Sequence, residues 1–431
     1  MQSRGMPNLF LEFDNPWFSC LYNFLLKHQK GGAANRALIH RIICDIVLIC
    51  GECGVYSPHK LRQMGVYIHQ LANWPRFSWK QEAVSPLLAA VRHRQGRLLG
   101  RMEALGFGLK AEATLQTLTL DILKSSEIEG ELLDIDQVRS SIARRLGMDV
   151  AGMIPADRNV EGVVEMMLDA TQQFNEPLTD ERLFSWHAAL FPTGRSGMQK
   201  IITGAWRNNT SDDPMQVVSG PMVREKVHYQ APDAALLTDE MDHFINWFNT
   251  ELNIDPVLKV AIAHLWFVTI HPFDDGNGRI ARAIADMQLA RADDSAQRFY
   301  SMSAQIRKER NAYYDILEAT QKGDLDITGW LDWFLNCLDR SLKATDQTLV
   351  VVLNKARFWE QHAKTLLNNR QVLMINKLLD GFTGKLTSSK WATIAKCSQD
   401  TALRDIQGLM EKNILVKEVA GGRSTSYVIA G

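Results

Sequence analysis

The sequence predicts a mainly α-helical protein with one small β-hairpin in its central domain and a winged helix-turn-helix domain at its end. Three observations lead there. Apolar residues recur at three- and four-residue steps over most of residues 81–345. The segment Ile202–Pro232 breaks that rhythm, with Gly204, Pro214, Gly220, Pro221 and Pro232 around short β-favouring runs. Finally, the tail carries two short helical stretches and then two strand-like runs around a Gly-Gly-Arg turn, which is the winged-helix order.

Residues 1–64 read as a poorly defined N-terminal extension, rich in Cys and aromatics and broken at Gly31-Gly32. The composition changes at Met64, which raises the expectation that the natural start lies there and the preceding residues are upstream read-through. A helical module is expected over 65–145. Val84, Leu87, Leu88, Val91, Leu98, Leu99 and Met102 mark one helix; Leu115, Leu118 and Ile122 mark another that stops near Gly130, a natural C-terminal glycine.

The central domain is placed at 146–345. Helical periods run through Val160–Phe174, Asp180–Leu190 and Thr238–Asn249. Between them, Gln216-Val217-Val218 and Val227-His228-Tyr229 form the strands of the hairpin. Pro256–Ile270 is nearly all apolar and predicts a central buried helix. A further helix from Arg279 puts Ile280, Ile284 and Met287 on one face, with Arg279 and Arg282 pointing elsewhere. Tyr313, Tyr314, Trp330 and Trp333 fall in later helices. In the last domain, 365–431, Lys385–Ala395 and Gln399–Glu411 are short helices, and Ile414–Val419 and Ser426–Ile429 are strands flanking Gly421-Gly422-Arg423.

Composition excludes several classes. The 431 residues are 46% hydrophobic and 23% charged, as in soluble globular chains of several domains. A formal net charge of −1 gives no bulk attraction to nucleic acid or anionic membrane, so such binding needs a local patch. The best apolar run, Ile42 to Cys50, is too short to span a bilayer and contains Asp45. No basic region leads into an apolar one at the N-terminus, so no signal peptide is read and the cytoplasm is the expected location. Four of the six cysteines crowd into the first 53 residues, unlike a disulfide framework. Cys44, Cys50 and Cys53 lack a fourth ligand at zinc spacing and read as unpaired thiols.

The chemistry concentrates in His271–Arg282, HPFDDGNGRIAR. Gly276-Asn277-Gly278 at a helix start lets backbone N–H groups converge on an anion. Arg279 and Arg282, three apart on the new helix, suit a polyphosphate gripped bidentately. Asp275 beside that cradle is a hard carboxylate, as Mg²⁺ bridging phosphates requires. His271 is a proton acceptor near neutral pH, Phe273 pins the loop to the core, and Asp274 is expected to face solvent. The set implies nucleotidyl or phosphoryl transfer to a hydroxyl that His271 deprotonates. The competing reading makes His271 a helix-end cap and the arginines surface charges; the conjunction of all the parts weighs against it.

These residues resemble the signature of the Fic-domain family, HxFx(D/E)GNGRxxR, at every specified position. The likeness runs from about Val66 to the C-terminus, through an N-terminal helical module of the kind found ahead of Fic cores. It implies a Fic-type helical core and transfer of AMP from ATP–Mg²⁺ to a hydroxyl of a target protein. By that resemblance His271 is the base and Asp275 the metal ligand. Gly276, Asn277, Gly278, Arg279 and Arg282 bind the nucleotide. Ile202–Pro232 is then a flap that docks the target protein by β-pairing.

Upstream, Ser125-Ser126-Glu127-Ile128-Glu129-Gly130 resembles the family's inhibitory motif, (S/T)xxxE(G/N), through Ser125, Glu129 and Gly130. The resemblance implies that Glu129, delivered at a helix end, pairs with Arg282 in the resting protein. Glu127 and Glu131 are expected to be solvated neighbours. Some braked relatives also remove AMP, a second activity the motif allows.

The tail leaves two partner classes open. Thr401, Arg404 and Gln407 face a major groove if it binds DNA, with Arg423 reaching the backbone or minor groove. Alternatively the domain contacts protein, including a second copy of this chain in a homodimer. A DNA-binding regulator with the core as nucleotide sensor is therefore the alternative to the transferase.

Overall fold

The computed structural model parts the chain into two units, Met1–Val66 and Tyr67–Gly431. It describes residues 67–103, 107–148, 152–210, 212–220, 226–382, 384–418 and 425–430. The readings made for residues 1–66, including Met64 and Cys44, Cys50 and Cys53, lie outside the described residues. So do Gly421, Gly422 and Arg423.

Helix α1 (Gln81–Glu103) buries Val84, Val91, Leu98 and Met102, the stripe read from its periodicity. Helix α2 (Phe107–Ile128) buries Leu115, Leu118, Ile122 and Ile128. Helix α3 (Ile135–Arg145) starts where Asp134 accepts a hydrogen bond from the Gln137 N–H at 2.9 Å. Helices α4 (Arg158–Gln172) and α5 (Asp180–Leu190) follow. They approach so closely that a Cβ at Gly162 would lie 1.8 Å from the Ala189 carbonyl oxygen.

Two antiparallel hairpins lie between α5 and Pro232. The first pairs β1 (Arg195–Ser196) with β2 (Gln199–Lys200) and was not read from the sequence. The second pairs β3 (Gln216–Ser219) with β4 (Lys226–Gln230), the two runs expected, with a register shift between Val217 and Val218. Helix α6 (Leu237–Thr250) leads to α7 (Pro256–Ile270), in which Val257 through Ile270 are all buried. Helix α8 (Asn277–Asp293) packs along α7, and this pair forms the centre around which the other helices gather. The remaining helices of this part are α9 (Met302–Lys308), α10 (Arg310–Gln321) and α11 (Thr328–Gln361). Among the described residues no helix is long and apolar enough to cross a membrane.

Helix α11 runs through most of the interval that the sequence left unassigned between the domains at 146–345 and 365–431, ending at Gln361. The tail therefore begins its own core earlier, at Phe358, which packs with Met374, Ile375, Trp391, Ile406 and Tyr427. Helices α12 (Asn369–Leu379), α13 (Ser388–Ile394) and α14 (Gln399–Glu411) precede the antiparallel pair β5 (Leu415–Lys417) and β6 (Tyr427–Ile429). Helix α13 starts at Ser388 rather than Lys385 because Thr387 caps it, accepting from the Lys390 N–H at 3.3 Å. The tail is anchored to the N-terminal helices. Lys377 reaches Asp136 at 2.8 Å, and Lys355 bridges Glu112 at 3.0 Å and Asp380 at 2.8 Å.

Candidate active site

Two helix ends meet at the site, the C-terminus of α7 and the N-terminus of α8. His271 is the C-cap of α7 and takes the left-handed conformation, φ 53° and ψ 58°. Its Nδ1 lies 3.3 Å from the Val268 carbonyl oxygen. A carbonyl only accepts, so the proton sits on Nδ1 and the Nε2 lone pair is left free. Desolvation pushes the His271 pKa down to about 4, opposed by the Val268 bond and reinforced by the Arg207 charge. At neutral pH the imidazole is uncharged, the state a general base needs.

The loop after His271 is held from inside. Phe273 is fully buried and stacks on His187 with ring centroids 4.2 Å apart. Asn277 donates from Nδ2 to the Phe273 carbonyl at 2.7 Å and accepts from the Phe273 N–H at 2.9 Å. Its side chain is thus used within the loop, which leaves only its backbone for the anion site assigned to it. Asp274, expected to face solvent, is only partly exposed: its Oδ2 accepts from the Ile202 N–H at 2.8 Å and ties the start of the 202–232 segment to the loop. Asp275 accepts from the Gly276 N–H at 2.5 Å, and Ser196 of the small hairpin donates to its other oxygen.

Gly276 sits at φ 80°, where a Cβ would lie 2.9 Å from the Phe191 ring. Backbone conformation and space both exclude a side chain there. Beyond it, the first turn of α8 offers N–H groups that have no partner within the helix, the usual makings of an anion site.

The arginines are not surface charges. Arg279 and Arg282 are 5% and 2% exposed. Arg282 donates from Nε to Ser125 Oγ at 2.8 Å, and from Nη2 to the Ser125 carbonyl at 2.9 Å and to Glu129 Oε1 at 2.7 Å. Gly130 has φ 86°, which closes α2 and turns Glu129 toward α8. At Gly278 a Cβ would lie 2.2 Å from Glu129 Oε1, so glycine there is what lets the carboxylate reach Arg282. Arg279 pairs with Glu131 and lies over the Phe191 ring at 5.0 Å. Glu127 and Glu131, expected to be solvated, are partly exposed but also ion-paired: Glu131 holds Arg279, and Glu127 takes Lys124 at 2.6 Å and Arg307 at 3.4 Å. Arg279 Nε and Arg282 Nη1 are buried and have no hydrogen-bond partner. Buried guanidinium N–H groups left this way are the donors that phosphate oxygens satisfy.

Mg²⁺ is the implied metal. Among the described residues no three His, Cys, Asp or Glu side chains converge as a ready-made metal cluster. Asp275 alone beside the cradle fits a cation held mostly by phosphate oxygens and water, as Mg²⁺ on a nucleotide is.

Three supporting residues escaped the sequence reading. Arg207 is 2% exposed and donates to carbonyls of His271 (2.8 Å), Pro232 (2.6 Å) and Ile270 (3.4 Å). His187 accepts from the Gly204 N–H at Nδ1 and bonds the Asp275 carbonyl through Nε2, both at 3.2 Å. The pair of partners fixes its proton on Nε2, and burial lowers its pKa to about 4. Ser196 holds Asp275. A Gly-Ala-Trp-Arg stretch and a Ser between two glycines carry no periodic signal; only the basic residue in a Gly/Pro-rich loop hinted at a role for Arg207.

With this geometry in view, the comparisons with known proteins are specific. Residues 177–289 match the Fic/DOC family, and residues 67–148 match a domain of unknown function, DUF4172. Over residues 177–289 the chain is thus similar to the Fic/DOC family. Among characterised relatives it is similar to "Protein adenylyltransferase Fic" of Culex quinquefasciatus, 27% identical over 251 residues, which is 57% of this chain and 44% of that protein. The Aedes aegypti protein of the same name is 27% identical over 228 residues, 51% of this chain and 40% of the relative. The chain thus spans less than half the length of these relatives. A solved Fic family protein from Desulfovibrio desulfuricans G20 aligns over 83% of this chain and 98% of its own, with 20% identity and a TM-score of 0.48.

Proposed function

We propose that the protein is an autoinhibited adenylyltransferase. It moves AMP from ATP to a hydroxyl side chain of a target protein. One observation carries the reading: a neutral His271 with a free Nε2 stands at the same helix junction as two buried arginines with unsatisfied N–H groups. Nε2 takes the proton as the target oxygen bonds to the α-phosphorus, the α–β bridging P–O bond breaks, and pyrophosphate leaves. Arg279 and Arg282 hold the β- and γ-phosphates, and the α8 N-terminus cradles the chain between them. Mg²⁺ held by Asp275 would neutralise polyphosphate charge. The names of the relatives support AMP as the transferred group.

The resting state is off in this reading. Glu129 and Ser125 occupy the guanidinium of Arg282 that a γ-phosphate needs. The target docks along the β3–β4 hairpin, whose Val218 and Val227 are exposed at 43% and 38%. For the tail we favour a protein partner over DNA. The exposed positions of α14 mix Asp400 and Glu411 with Leu403, Arg404 and Gln407, and Thr401 is half-buried and bonded to Ser398.

The test compares ATP labelled at the α- or the γ-phosphate, in a Glu129→Gly protein with and without His271→Ala. Label from the α position alone, lost with His271→Ala, is the expected result. Label from the γ position would instead make the enzyme a kinase.

A further inference from the structure

Helix α2 ends in a turn that presents two carboxylates. Gly130, in the left-handed conformation, donates its N–H to the Glu127 carbonyl at 3.1 Å, and Glu131 donates to the Ser126 carbonyl at 3.0 Å. That is the Schellman pattern, and it is rigid because both bonds close on the last helical turn. Glu129 lies just before the glycine and Glu131 just after it. The reversal of the chain between them aims both side chains at the first two turns of α8. Glu129 meets Arg282 there, and Glu131 meets Arg279.

We propose that Glu131 is a second inhibitory residue, which competes with the nucleotide for Arg279 while Glu129 competes for Arg282. This rests on the reading of 276–282 as a polyphosphate site. Each guanidinium of the grip is then held by its own carboxylate, both from one turn, and each keeps one buried N–H without a partner. The two pairs are unequal. The side chain of Glu131 is 37% exposed and that of Glu129 is 31%, against 6% for Arg279 and 2% for Arg282. Arg282 is also held by two hydrogen bonds to Ser125, so the Arg279–Glu131 pair yields first to an incoming anion. A nucleotide entering the resting site therefore displaces Glu131 at Arg279, while Arg282 stays with Glu129 and Ser125. That bound state lacks the second phosphate contact.

The experiment titrates the full chain with ADP–Mg²⁺ by calorimetry, for the parent, Glu131→Gln, Glu129→Gly and the double variant. Glutamine keeps the shape and removes the charge, and thermal melts verify the fold. Release of a partly exposed ion pair predicts about fivefold tighter ADP binding in Glu131→Gln. The same change should appear in the Glu129→Gly background, together with a lower KM for ATP. Unchanged ADP affinity in both backgrounds overturns the proposal, and so does weaker binding, which would make Glu131 a support of the site. Binding reads Arg279 whatever group is transferred. Tighter ADP binding in Glu131→Gln without any AMP transfer by Glu129→Gly would sink the adenylyltransferase reading and leave the second lock standing.

Discussion

Glycine at position 129 is the most direct test of the proposed brake. Of the three hydrogen bonds from Arg282 to the end of α2, two go to Ser125 and are neutral on the acceptor side. The third, Nη2 to Glu129 Oε1 at 2.7 Å, joins two charges, one on a side chain that is only 2% exposed. A hydrogen bond of this kind contributes about 1.5–3 kcal/mol. Its removal leaves Arg282 aligned by Ser125 but without a counter-charge, so two effects are linked. Stability of the apo protein should fall by about 1–3 kcal/mol, and ATP should restore it because a phosphate takes the place of the carboxylate. Lifting the same penalty from productive ATP binding should raise the rate by about 10- to 150-fold. The assay is self-labelling from α-labelled ATP, run beside thermal melts with and without nucleotide. If the melts show the stability loss but labelling stays at the parent rate, the bond exists and is not a brake.

Other expectations follow from the same contacts. Arg207→Ala removes bonds to three loop carbonyls, so we expect a loss of about 2–4 kcal/mol in stability and a lower kcat, with ADP affinity less affected; equal losses in both would argue against a role in placing His271. Gly162→Ala puts a methyl 1.8 Å from the Ala189 oxygen and should cost about 1–3 kcal/mol through forced separation of α4 and α5, measured as a drop in Tm with urea unfolding as a second readout. The acid limb of activity should lie near pH 4, well below the 6.5 of a free histidine, because His271 must be neutral and its pKa is lowered to about 4. His69 and His187 are also lowered to about 4 and His264 to about 3. Between those values and 6.5 the unfolded chain binds more protons than the folded one, so stability falls as pH drops through that window, by up to about 1.4 kcal/mol per pH unit for each group. Melts from pH 7 to pH 4 measure this, and a flat Tm over the window would contradict the buried neutral histidines.

Much of the site was legible because it is local. Buried α7, the Gly-Asn-Gly start of α8 and the positions of Arg279 and Arg282 follow from adjacent residues and helical spacing. The β3–β4 strands showed as Val- and Tyr-rich runs between turn formers. Less legible were contacts whose partners are distant in sequence. Arg207 reaches His271, Ser196 reaches Asp275 and His187 reaches both Gly204 and Asp275, and no periodicity links such positions. The continuity of α11 through to Gln361 was not read either, because the sequence was divided into domains at 146–345 and 365–431 with the residues between them unassigned.

The sequence by itself determined the helical class and the His271–Arg282 motif through local spacing, and the resemblance of Ser125–Gly130 to a family motif supplied the expected pairing of Glu129 with Arg282. Only the tertiary structure decided the fate of Glu131 and Asp274. Each is a charged residue in a short loop, for which sequence predicts water as the default partner. Packing α2 against α8 buries Arg279, and a buried guanidinium needs a carboxylate, so Glu131 is drawn in. Folding the 202–232 segment over the loop likewise brings the Ile202 N–H to Asp274.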